Sequence, residues 1–154
     1  MKDAHTLYLC YFGLREPLVQ TQVLPYLREI MKDGVKVFLL TFEPNPREKW
    51  TSSEIEETKE KLAEEGIFWD FLTYHKRPSA SATLFDVLVG AFYARRLIRR
   101  EQIDVLRPRS HTGDDGRDAK KLSRQKPKLL FDIRGFFPEE YTDAGTFQLK
   151  FANT

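Results

Sequence analysis

The chain has 154 residues, room for one ordinary domain and too few for two. Its 41% hydrophobic content, with 12 Phe, 6 Tyr and 2 Trp, suffices for a sizeable core and excludes disordered, collagen-like and disulfide-scaffold classes. Lys and Arg number 25 against 23 Asp and Glu, a net charge of +2, so bulk electrostatics gives no argument for nucleic acid.

Cys10 is the single cysteine, which rules out an intrachain disulfide and a cysteine-based zinc site. The first residues lack the apolar core of a signal peptide, and no run approaches the ~20 apolar residues of a membrane span. These features read as cytosolic.

Five short apolar runs predict strands: Thr6–Phe12, Val35–Phe42, Ile67–Tyr74, Ile103–Leu106 and Lys128–Ile133. Several are apolar almost throughout, the pattern of parallel strands covered on both faces. Between the first two, Val19, Val23, Tyr26, Leu27, Ile30 and Met31 recur at helical spacing over Leu18–Lys32. Pro25 is expected to kink or break that helix, and Gly34 to end it. The next connector opens with the capping box Thr51-Ser52-Ser53-Glu54, with Ile55, Leu62 and Ala63 on its buried side and Gly66 at its end. A third helix is predicted over Thr83–Arg100, carrying Leu84, Val87, Leu88, Ala91, Leu97 and Ile98. Between Arg107 and Lys121 there is almost nothing to bury, so a loop and a short, weakly anchored helix are expected. The alternation predicts an α/β fold, a mostly parallel open sheet of about five strands flanked by helices.

Ligands of open α/β sheets bind beyond the carboxyl ends of the strands. The segments that follow the five strands begin at Gly13-Leu14-Arg15, Glu43-Pro44, His75-Lys76-Arg77, Arg107-Pro108-Arg109-Ser110-His111 and Arg134-Gly135. Arg occurs in four of them, which gives the rim forks suited to phosphate or carboxylate; solvent-facing loops that are merely polar are the plain alternative. Gly13 and Gly135 would let backbone amides approach a ligand. His75 and His111 are candidate general bases, since an unperturbed imidazole titrates near neutrality, and each also fits a structural role. Asp132 and Arg134 lie on one side of the last strand, as a structural or a catalytic pair.

Asp114, Asp115 and Asp118 lack the spacing of a calcium loop and read as a solvated helix start. Arg95, Arg96, Arg99 and Arg100 suit a helix C-terminus, and with Leu97, Ile98 and Phe92 nearby they also suit an anionic membrane surface. No dinucleotide or nucleoside-triphosphate fingerprint occurs, nor a G-x-S-x-G elbow or H-E-x-x-H pair. No cofactor or metal is indicated.

Longer strings carry a resemblance. Tyr11-Phe12-Gly13-Leu14-Arg15-Glu16-Pro17 and the residues up to Leu27, then Tyr74-His75-Lys76-Arg77-Pro78-Ser79, Leu130-Phe131-Asp132-Ile133-Arg134-Gly135 and Pro138-Glu139-Glu140-Tyr141, resemble bacterial glycosyltransferases of the GT-B group 1, family 4-like type. The resemblance covers most of residues 6–145. It implies a single Rossmann-like N-terminal domain over residues 1–145 with a tail at 146–154, and no donor-binding domain in this chain. It departs from the family at Thr112–Lys121, charged where relatives have an apolar helix, and at Thr146–Thr154.

By that resemblance the chain is the acceptor-binding half of a retaining enzyme, inactive alone, in which a hexose passes from a nucleotide sugar to a hydroxyl acceptor. His111 and Arg134 then take the catalytic positions, and Gly13, Arg15, His75, Arg77, Arg109, Ser110 and Gly135 contact substrate. A separate partner chain, or self-association through an apolar patch near Phe136 and Phe137, would accompany such a half. The competing reading is a non-catalytic module that binds a sugar, a phosphate or a protein. A receiver-like signalling domain is rejected, since it would want acids where the first strand is followed by Gly13 and Arg15.

Overall fold

The computed structural model describes residues 4–74, 80–109 and 127–130. The strands are β1 (His5–Cys10), β2 (Lys36–Pro44), β3 (Ile67–Tyr74), β4 (Val105–Arg109) and β5 (Lys128–Leu129). They form one parallel sheet in the order β3-β2-β1-β4-β5, a Rossmann-like α/β arrangement flanked by helices. The helices are α1 (Leu24–Lys32), the single turn α2 (Pro46–Lys49), α3 (Ser52–Glu64) and α4 (Ala80–Arg100).

Each face of the sheet buries its own apolar layer. Tyr8, Cys10, Val37, Leu39, Ile67 and Trp69 pack against Val19, Val23, Leu24, Leu27 and Leu62 on the α1 and α3 side. Leu7, Leu9, Phe38, Leu40 and Leu106 pack against Ala94, Leu97 and Ile98 of α4 on the other. Covering both faces accounts for the unbroken apolar runs of β1 and β2.

The expected break near Pro25 takes the form of a π-helical turn over Val19–Val23, closed by the Leu24 amide donating to the Val19 carbonyl. A proline ring crowds the carbonyl four residues before it, and the widened turn relieves that crowding. Gly34 and Gly66 end α1 and α3 with φ of 76° and 88°, backbone that a residue with a Cβ adopts only under strain. At Thr51 the predicted capping box is complete, with side chain to backbone bonds in both directions.

Three local expectations need correction. Ala63 is exposed, and Leu62 with half-buried Ile55 anchors α3 instead. Leu88 of α4 points to solvent. The fourth strand starts at Val105 and runs through Arg107, Pro108 and Arg109, which read as loop residues in the sequence. Its arginines lie on the α1 side, where Tyr26 Oη and Gln22 Oε1 accept from them at 2.5 and 3.0 Å. Among the described residues, Pro108 sits beyond the stretch paired with β5, where its missing N–H interrupts none of the β4–β5 pairing.

The open edge at β3 is guarded. Asp70 Oδ1 accepts from the Phe71 amide at 3.0 Å and from Lys59 of α3 at 3.2 Å, while Tyr93 of α4 donates its hydroxyl to Oδ2. Burial, followed by the Asp70 contact, pushes the Tyr93 phenol up to about 12. This clasp ties both flanking helices to the edge and occupies one of its backbone donors.

The core makes a direct prediction. Leu40 is fully buried under α4, so Leu40→Ala is expected to cost about 2–5 kcal/mol. A fall in the urea midpoint with unchanged slope is the expected reading; an unchanged midpoint would contradict this packing.

Candidate functional site

In the order β3-β2-β1-β4-β5 the chain steps outward on one side of β1 and then crosses to β4 on the other, so the reversal lies between β1 and β4. A crevice opens beyond the strand ends at such a reversal. Cys10 marks the spot, paired in register with Thr41 of β2 on one side and Arg109 of β4 on the other.

The best-held group at this end is Glu43, buried to 2% exposure near the end of β2. A carboxyl group there needs donors, and three reach it. The Leu14 amide donates to Oε1 at 2.6 Å, Thr41 Oγ1 donates to Oε1 at 2.9 Å, and Trp50 Nε1 approaches Oε2 at 3.4 Å. Thr41 in turn accepts from Trp69 Nε1 at 2.9 Å. The loop after β1 is thereby pinned to the end of β2.

This arrangement explains Gly13. A Cβ built there would lie 2.6 Å from Glu43 Oε2, so lack of space, not unusual backbone, demands glycine. The group that approaches Gly13 closely is therefore the protein's own carboxylate side chain. Glu43 is the residue that sequence reasoning passed over. Its signal was an acid at the end of an otherwise apolar strand.

Arg15 leaves the same loop in the other direction. Its guanidinium lies 3.7 Å above the Trp50 ring and donates to the Lys49 carbonyl at 2.6 Å and to Glu54 Oε1 at 2.9 Å. Glu54 also accepts from the Thr51 backbone, which first, with Arg15 next, holds its carboxyl down at about 2. The ion pair is exposed and adds little by itself; stacking on a buried indole fixes the side chain's place.

Arg107 and Arg109 line the other flank of β1. Among the described residues, their buried Nε and Nη1 atoms respectively have no hydrogen-bond partner. An unpaired buried guanidinium donor is costly, so each of these atoms calls for an acceptor. Cys10 between these flanks is inert as a nucleophile, because burial above all pushes its thiol up to about 11.

Of the predicted site residues, Gly13 follows β1 and Arg109 ends β4, on the two sides of the reversal, and Arg15 is directed onto Trp50. His75, Arg77, Ser110, His111, Arg134 and Gly135 lie outside the described residues, as do Phe136 and Phe137. Among the described residues no group of three or more His, Cys, Asp or Glu forms a metal cluster.

No protein-family model and no curated protein sequence matches this chain. Among solved structures it is similar to a crystal structure of a glycosyltransferase from Rickettsia africae, with a TM-score of 0.55 and 15% identity. That alignment covers 92% of this chain and 34% of the other, so the chain spans about a third of that protein's length. The likeness establishes a glycosyltransferase-like fold.

The packing of Gly13 on Glu43 is testable by a double-mutant cycle. Gly13→Ala alone is expected to cost about 1–3 kcal/mol, by forcing Glu43 off its donors. In a Glu43→Ala background the same change is expected to cost little, giving a coupling of about 1–3 kcal/mol in urea unfolding. Additive costs would mean that the two residues do not meet.

Proposed function

We propose that this chain is the acceptor-side half of a GT-B glycosyltransferase, of the group 1, family 4-like type, and is inactive without a donor-binding domain. The observation that carries the proposal is the strand-order reversal between β1 and β4, with the pinned Gly13 loop following β1 and Arg109 ending β4. The family-like strings around Gly13, His75 and Arg134, together with the glycosyltransferase-like fold, support the choice of reaction.

In this reading a donor-binding domain closes over the strand ends and brings a nucleotide sugar to the rim. The acceptor hydroxyl oxygen bonds to the anomeric carbon while the bond from that carbon to the diphosphate breaks. The electron pair leaves with the diphosphate, and the hydroxyl proton is released. Arg109 binds a hydroxyl oxygen of the acceptor, and His111 and Arg134 orient the acceptor and donor oxygens. Gly13, Arg15, His75, Arg77, Ser110 and Gly135 complete the proposed contacts, with Arg15 acting through the shape of its loop. A single buried cysteine fits a cytoplasmic setting.

Two measurements on the purified chain test this proposal. Incubated with UDP-glucose, UDP-N-acetylglucosamine or GDP-mannose, it is expected to hydrolyse none of them. On an array of mono- and disaccharides it is expected to retain acceptor sugars, with retention reduced on the order of tenfold or more by Arg109→Ala. Hydrolysis by the chain alone would overturn its being half of an enzyme. Retention unchanged by Arg109→Ala, or none at all, would overturn the acceptor role.

A further inference from the structure

The outer face of α4 has no described covering. Phe85, Leu88 and Phe92 are 60%, 57% and 66% exposed, and Val89 is exposed beside them. Their spacing of three and four residues places them in one stripe, opposite the buried Ala91, Ala94, Leu97 and Ile98. Continued by the same helical period, the stripe runs onto Arg96 and Arg99, both exposed. A helix that is apolar on two faces is expected to meet something other than water on both.

Charge selects the occupant. Asp86 is the only acidic residue between 80 and 100, and it is buried, so among the described side chains the stripe and its continuation present apolar groups and arginines. An interfacial bilayer site accepts both: rings and aliphatic groups below the headgroups, guanidinium groups among the phosphates. A second copy fits less well. Outside α4 the exposed large apolar side chains among the described residues are Phe68 and Leu130, and the acidic helix α3 has none. Pairing α4 with α4 would set arginines against arginines, or against the positive end of a helix.

We infer that α4 docks this protein on an anionic lipid surface, with Phe85, Leu88, Val89 and Phe92 inserted and Arg96 and Arg99 on lipid phosphates. The helix has the reach for it, since Phe85 to Arg99 spans roughly 21 Å along the axis. It is also suitably placed. Gly90 packs on Phe42 near the end of β2, so Phe85 to Val89 carry the apolar stripe roughly 7 Å onward, toward the carboxyl ends of the strands. No described helix is long and apolar enough to cross a membrane, so contact is with one surface. The inference rests on α4 alone and holds whether or not the chain is half of a transferase.

Co-sedimentation of the full chain tests it, using vesicles of phosphatidylcholine alone or with one third phosphatidylglycerol. The chain is expected to sediment with the mixed vesicles, to be released by raised salt, and to bind the neutral ones on the order of tenfold more weakly. Arg96→Ser with Arg99→Ser is expected to reduce binding to mixed vesicles about tenfold or more. Phe85→Ser with Phe92→Ser is expected to abolish it, with unchanged circular dichroism in both variants. No sedimentation of the parent chain, or undiminished binding by both variants, would overturn the inference. So would a dimer in light scattering that the Phe variant dissolves while vesicles bind nothing.

Discussion

Everything at the carboxyl end of this sheet depends on how the protein accommodates one buried carboxyl group. Glu43 lies near the end of β2 where water cannot reach it, and its desolvation is offset only by donors supplied from the fold. Those donors come from three places: the loop after β1, the strand itself, and the segment leading to α3. Meeting the demand of one side chain therefore orders three stretches of backbone. Trp50 has its indole turned inward toward Glu43 and its face covered by Arg15. Arg15 reaches Glu54, which caps α3 through Thr51. A polar chain thus runs from the sheet edge of the crevice to the start of the helix that covers it.

The two sides of the strand-order reversal are unlike. On the β2 side the polar groups are satisfied internally, so that side acts as a fixed wall. On the β4 side, among the described residues, Arg107 and Arg109 are held by Tyr26 and Gln22, and one donor of each has no partner. Pre-set, partly unpaired donors beside a rigid wall suit recognition of an anionic or hydroxyl-rich ligand. The burial that silences Cys10 directs attention to oxygen and nitrogen chemistry at this rim.

Much of this arrangement was legible in the sequence, and the gaps have physical reasons. β3 spans the predicted Ile67–Tyr74, and β1 and β2 follow their apolar runs, because parallel strands buried on both faces leave an unmistakable pattern. The α3 cap was readable because a capping box is local chemistry. β4 was read too short because its arginines pair with Tyr26 and Gln22, residues more than 80 positions away. Glu43 was seen but given no role, since its donors come from Leu14 and Trp50 of other elements. Leu88 was assigned with the other apolar residues of its helix, because periodicity does not distinguish two apolar faces from one broad face. The rim residues from His75 to Gly135, those of β4 apart, follow from strand-end logic and resemblance, and they fall outside the described residues.

Amide hydrogen exchange at Leu14 tests the central claim most directly. If Glu43 clamps the loop, the Leu14 amide of the parent chain exchanges as slowly as core amides of β1, and Glu43→Ala accelerates it by orders of magnitude while Leu7 and Leu9 stay protected. A Leu14 amide that exchanges at the rate of an open loop in the parent chain would contradict the account.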